Sequence, residues 1–238
     1  MSSAGESSNG VLRQPPGRIE KLLELSVFLF LIVPSLVLPF LLHVELDIGF
    51  SELAIATILR DIALVLLVLF FLWRNEEPLS RIGWVSKSVG REALIGTALF
   101  VPFSMGASLL QAALVTAGLS LPASPPPALV PGREIVNILL SVLLVLVVAL
   151  AEETIFRGYL LARLAEISGS RIVAVLVSSV VFSLGHHYEG SAGVVTVGVM
   201  GVAFSLVLLW RRSLVAPITI HFLQDFAGVV LAPFLAGR

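Results

Sequence analysis

The sequence predicts an all-α protein, a polytopic membrane bundle of about seven transmembrane helices with its N-terminus in the cytoplasm. Three observations carry this. Hydrophobic residues make up 57% of the 238-residue chain and charged residues 13%, where a soluble domain carries about 25% charged residues. Apolar runs recur at close to the roughly 20 residues that cross a bilayer. Lys and Arg gather in alternate connections, the pattern left when positively charged loops stay on the cytoplasmic side.

The first residues (MSSAGESSNGVLRQPPGR) are polar and rich in Gly, Ser and Pro. They lack the basic start, short apolar core and small-residue cleavage site of a signal peptide, so residues 1–20 are expected as a disordered tail. Residues 21–238 are expected as one transmembrane bundle. Its spans are Leu22–Leu42, Ser51–Trp73, Ala93–Ala117, Ile135–Glu153 (continuing as helix to Glu166), Ile172–His186, Ala192–Trp210 and Leu214–Phe234. A Ser-Gly-Ser break at Ser168–Ser170 sets off the short fifth span. The proline-dense loop LPASPPPALVPG after the third is expected to be extended.

Arg13, Arg18 and Lys21 precede the first span, and Arg74, Arg81, Lys87 and Arg91 follow the second. Arg157, Arg163 and Arg171 cluster between the fourth and fifth, and Arg211 and Arg212 between the sixth and seventh. The other loops carry little positive charge. Composition also excludes some classes. A net charge of −1 gives no basic surface for nucleic acid, and the absence of cysteine excludes disulfides, thiolate metal sites and a cysteine nucleophile.

The informative residues are those that break the apolar runs. Ile135 to Ala151 carries no charge, and then come Glu152 and Glu153, with Arg157 four residues beyond the second. A charge at mid-membrane costs about 2.5–3.5 kcal/mol on insertion scales, so such residues mark function by default. His186, with His187 beside it, and the pair His221 and Asp225 interrupt two later apolar segments. Spacing of four puts Glu153 beside Arg157 and His221 beside Asp225, while Glu152 points about 100° away from Glu153. One carboxylate is then held by the arginine and the other faces a cavity near the midplane.

At these residues a resemblance becomes specific. Glu152-Glu153-Thr-Ile-Phe-Arg157, Phe182-Ser-Leu-Gly-His186 and His221-Phe-Leu-Gln-Asp225 resemble, in order and spacing, the E-E-x-x-x-R, F-x-x-x-H and H-x-x-x-N/D motifs of the CPBP intramembrane proteases. That family includes CAAX prenyl endoproteases of the Ras-converting type and bacterial relatives linked to bacteriocin processing and immunity. The resemblance covers about residues 135–234.

It implies an intramembrane endopeptidase that cuts near the C-terminus of a membrane-associated, prenylated or other peptide substrate. The site would comprise Glu152, Glu153, Arg157, His186, His221 and Asp225. Glu152 and His186 would activate water, His221 with Asp225 nearby would stabilise the oxyanion, and Arg157 would orient Glu153. The family is often labelled metalloprotease, and Glu152, His186 and His221 are a plausible zinc set. No H-E-x-x-H is present, and metal-free chemistry is favoured slightly over zinc. The expected partners are the lipid bilayer and a peptide or lipidated-protein substrate, in a prokaryotic plasma membrane with the cavity open to the cytoplasm. A non-catalytic immunity or scaffold protein, or a proton-coupled transporter, stays open as an alternative.

Other features have structural readings. His187 fits no motif position and reads as an interfacial or capping residue, and Phe182 and Phe222 as packing residues. Arg60 and Asp61 are neighbours inside the second span and, as sequence neighbours do not share a helix face, are expected to pair elsewhere or snorkel. Gly193, Gly198 and Gly201 permit close helix approach. The stretch Glu76–Arg91, with Trp84, reads as an interfacial segment.

Overall fold

The computed structural model describes residues 17–42, 48–85 and 88–235, so most of the expected polar tail lies outside the described residues. Those residues are helical, with no strand among them. Seven rods form the bundle, as the apolar runs predict. The first three are α1 (Arg18–Leu42), α2 (Phe50–Arg74) and α3 (Val89–Thr116). The fourth is α4 (Ile135–Glu152), continued by a wide π-helical segment, Glu153–Leu160, and α5 (Leu161–Ser168). Next come α6 (Arg171–Leu184) and α7 (Gly190–Arg211). The last rod is α8 (Val215–Asp225), a second π segment, Phe226–Leu231, and α9 (Ala232–Leu235). Five stretches are long and apolar enough to cross a membrane, and Arg171–Leu184 and Val215–Leu231 are shorter apolar helices.

Helix begins at Arg18, where the Gly17 backbone N–H donates to Glu20 Oε2 at 2.9 Å. This is a side-chain cap that satisfies one of the first orphan amides.

Rods two and four run parallel in a fixed register. Near one end Ser51 Oγ donates to Asn137 Oδ1 at 3.0 Å, and near the other Arg163 meets Glu77 at 2.8 Å. Both pairs are 86 apart in sequence. Between them Phe50, Ala54 and Ile58 pack on Leu144, and deeper in, Val68, Phe71 and Leu72 share a core with Ala151, Ile155 and Tyr159. Along α7, Gly198 and Gly201 lie against Ser183 and Ser179 of α6, the close approach their small size permits.

The inner ends are joined by an ion network. Arg163, 1% exposed, contacts Glu77 at 2.8 Å, Glu166 at 3.4 Å and Glu24 at 3.5 Å. Lys21 and Arg81 also pair with Glu166, and Arg74 and Asn75 hold Glu24. This changes the reading of one positive cluster. Of Arg157, Arg163 and Arg171, the first two are buried within the fourth rod, and only Arg171 sits exposed at a helix start.

The described part of the stretch after α2 touches the bundle at Ile82 to Trp84. Its short 3-10 turn, Leu79–Ile82, buries Ile82, and the Gly83 carbonyl accepts from Leu214 N at 2.9 Å. Trp84 Nε1 donates to Thr154 Oγ1 at 3.1 Å. The close approach needs glycine at 158, because a Cβ there would stand 2.9 Å from the Ile82 carbonyl oxygen.

Candidate active site

Five of the six predicted residues come from two rods, and His186 from the turn after a third. Glu152, Glu153 and Arg157 sit where α4 passes into its π segment, which runs through Glu153–Leu160. His221 and Asp225 occupy the last turn and a half of α8, directly before the second π segment. Wide turns of this kind occur mostly as short interruptions at functional sites. Within the first one the Phe156 carbonyl accepts from the Leu161 backbone N–H and also from Ser178 Oγ of α6, at 2.7 Å. That bond ties the distorted backbone to the neighbouring rod.

Glu153 is the hub. It is 0% exposed, and its Oε1 is shared by Arg157 Nη1 at 3.0 Å and His221 Nδ1 at 2.8 Å. The expected pairing of Glu153 with Arg157 is present, and the contact to His221 adds a second partner from another rod. Because the carboxylate only accepts, His221 donates from Nδ1 and directs Nε2 to the opposite side. There it faces Glu152 Oε2 at 3.6 Å and Asp225 Oδ2 at 3.4 Å. The two glutamates therefore grip opposite edges of one imidazole. Glu152 is the more open of the pair, with its side chain 17% exposed.

Arg157 is held by more than charge. Its guanidinium carbon lies 3.9 Å from the centroid of the Phe182 ring and 5.3 Å from that of Phe204. A buried cation over an aromatic face is stabilised by the ring quadrupole, by about 2 kcal/mol when desolvated. Phe182 thus does more than fill space. Its ring also stands 4.7 Å from His186 and 6.3 Å from His221, between the two imidazoles.

His186 stands further back. The sequence puts it at the end of the fifth span, but α6 stops at Leu184 and Gly185 caps it, leaving His186 in the turn beyond. Its Nδ1 lies 3.1 Å from the Phe182 carbonyl, which fixes the ring and leaves Nε2 on its far edge. His187 opens the following 3-10 turn and lines an apolar cavity of about 140 Å³ with Leu36, Val37, Leu184 and Val194. That position agrees with a structural role.

Among the described residues, no group of three or more His, Asp or Glu side chains is arranged to hold a metal ion. His221 engages Nδ1 with Glu153 and His186 engages Nδ1 with a carbonyl, so each ring presents its Nε2.

One further neighbour is noted in the sequence without being placed near the site. Asp61 of α2 is among the charges that act on Glu152, together with His221, Asp225 and Arg157. Arg60 and Asp61 do not pair elsewhere, as expected, but with each other: Arg60 Nε and Nη2 both lie 2.9 Å from Asp61 Oδ1. The helix rule concerns where Cβ atoms point, and a side chain as long as arginine folds back across that angle. The signal available was an aspartate inside an apolar span.

Residues 134–227 match the family model described as Type II CAAX prenyl endopeptidase Rce1-like. This segment is therefore similar to the CAAX prenyl endopeptidases that the sequence motifs resemble. The site residues named above all lie within it except Arg60 and Asp61. Among curated proteins, the membrane-embedded CAAX protease MroQ of Staphylococcus aureus (strain USA300) is 39% identical over 88 residues. The matched stretch spans 32% of this chain and 32% of MroQ, about a third of each. No solved structure matches the chain. The matched segment runs from α4 through α8, and α1 to α3 lie outside it.

Proposed function

We propose that this protein is an intramembrane endopeptidase that hydrolyses a peptide bond near the C-terminus of a membrane-associated substrate, a prenylated CAAX peptide being the class to try first. The observation that carries the reading is His221, clasped between Glu153 at one ring nitrogen and Glu152 with Asp225 at the other, inside an apolar helix bundle. Such a cluster offers a base, an oriented imidazole and a fixed cation away from bulk water. Peptide hydrolysis needs an activated water, a proton donor for the leaving amine and stabilisation of the developing oxyanion.

In this reading Glu152, the more accessible glutamate, takes the proton of the attacking water and passes it to the leaving amine. His186 Nε2 assists in holding that water. His221 Nε2 stabilises the oxyanion, for which both ring nitrogens carry protons. Glu153 and Arg157 do not touch the substrate; they fix His221 from behind. In this reading no step is routed through a metal. The site would open to the cytoplasmic side of a prokaryotic plasma membrane.

The test compares wild type with Glu152→Gln in detergent on a fluorogenic farnesylated peptide. Cleavage by wild type and a fall of about 100- to 10,000-fold in the variant is expected for loss of a general base. Full activity in Glu152→Gln would refute the assignment. No cleavage by either protein would favour a non-catalytic immunity or scaffold role.

A further inference from the structure

The Arg60–Asp61 pair stands outside the roles assigned above, and its setting is unusual. Arg60 lies ten residues into α2, about 15 Å along it, in a segment fit to cross a membrane. A cation at such depth is costly and points to a partner or a function. Asp61 is buried, its side chain 3% exposed, and holds the guanidinium through two contacts to one oxygen. Its Oδ2 is buried without a hydrogen-bond partner. The Arg60 side chain is 48% exposed, so part of the guanidinium stays accessible beside its contact with Asp61. A fixed guanidinium with free N–H groups suits a carboxylate, which it meets with two parallel hydrogen bonds.

The register of the parallel rods places this group relative to the chemistry. An offset of 86 between α2 and α4 sets Asp61 level with Val147, five residues, or about 7 Å, before Glu152 along the axis. Neighbouring helix axes stand about 8–10 Å apart. An extended leaving tripeptide spans about 10 Å, a matching reach. Charge argues the same way. Asp61, Glu152, Glu153 and Asp225 surround the site, and Arg157 is 1% exposed and committed to Glu153. An incoming anionic end would be repelled there without a cation of its own. Among the described residues, Arg60 is the half-exposed cation at that depth.

The geometry points to Arg60 as the anchor for the free α-carboxylate at the end of the peptide substrate, with Asp61 as the residue that positions its guanidinium. This rests on the peptidase reading above, and it makes the enzyme selective for true C-termini over internal peptide segments.

Two fluorogenic prenylated peptides, identical except for a free carboxylate or a carboxamide end, test it in wild type, Arg60→Lys and Arg60→Gln. Wild type should prefer the acid by about tenfold to a hundredfold in kcat/KM, carried by KM, as a charge-assisted bidentate contact provides. Arg60→Lys should keep a smaller preference, and Arg60→Gln should bring the ratio near one. Equal rates on both peptides in wild type, or an undiminished preference in Arg60→Gln, overturns the inference. If Arg60→Gln does not fold, the comparison of wild type with Arg60→Lys decides, since lysine lacks the fork and must lose part of the preference. Binding of the same peptides to Glu152→Gln protein, read by fluorescence anisotropy, separates the two claims. Selective binding of the acid with no turnover by wild type keeps the anchor and overturns the peptidase reading; turnover without selectivity does the reverse.

Discussion

Replacing Arg157 with leucine should destabilise the protein by at least about 3 kcal/mol. The side chain is 1% exposed and its partner Glu153 is 0% exposed, so the leucine variant strands a carboxylate in the interior with His221 as its one close partner. Breaking a buried ion pair from one side costs about 3–5 kcal/mol, mostly because the remaining charge has lost its compensation. The contact with the Phe182 ring, at 3.9 Å, adds up to about 2 kcal/mol. These terms overlap and do not simply add. The informative experiment is therefore a double-mutant cycle, with Arg157→Leu, Glu153→Leu and the double variant unfolded by SDS titration in mixed micelles. If the pair is compensated as described, the double variant should recover more than half of the loss of Arg157→Leu, because no lone charge stays buried. A single-variant cost below about 1 kcal/mol, or a double variant whose losses add, would refute the view of Glu153 and Arg157 as a desolvated pair.

Gly158→Ala should lower the unfolding midpoint, by about 1–3 kcal/mol in stability, since its methyl group would meet the Ile82 carbonyl oxygen at 2.9 Å; an unchanged SDS midpoint contradicts the packing described. Asp225→Asn keeps a polar group 3.4 Å from His221 Nε2 and should retain cleavage to within about tenfold, whereas Asp225→Leu should lose more than that. Wild-type protein treated with a chelator should keep its activity, and mass spectrometry of the purified protein should find zinc well below one equivalent. Loss of activity on chelation with rescue by zinc reverses the metal-free step.

The sequence was most legible where lipid dictates the answer. Seven rods follow from apolar length alone, because a bilayer leaves helix as the means to satisfy the backbone. The pairings of Glu153 with Arg157 and of His221 with Asp225 follow from a spacing of four. What could not be read is what depends on neighbouring rods. Nothing local shows that Glu153 also reaches His221, 68 residues on, or that Phe182 lies under Arg157. The two π segments were missed for a related reason. A residue run with ordinary helix propensity gives no sign of the wider turn, which is stabilised from outside by Ser178 and by the close contact at Gly158. The Arg60–Asp61 pair shows the limit of a rule stated for Cβ directions when the side chain is long.

The inner ion network has a bearing on how the chain is made. Arg163 meets Glu24 across 139 residues and Glu77 across 86. During synthesis both glutamates leave the ribosome long before their arginine does. Glu24 can meet Arg74 once α2 follows, but its contact with Arg163 waits for the fourth rod. The ends of α1 and α2 therefore lack this link until α5 arrives and joins them through its arginine. Assembly of the site is thus tied to completion of the half of the chain that carries it.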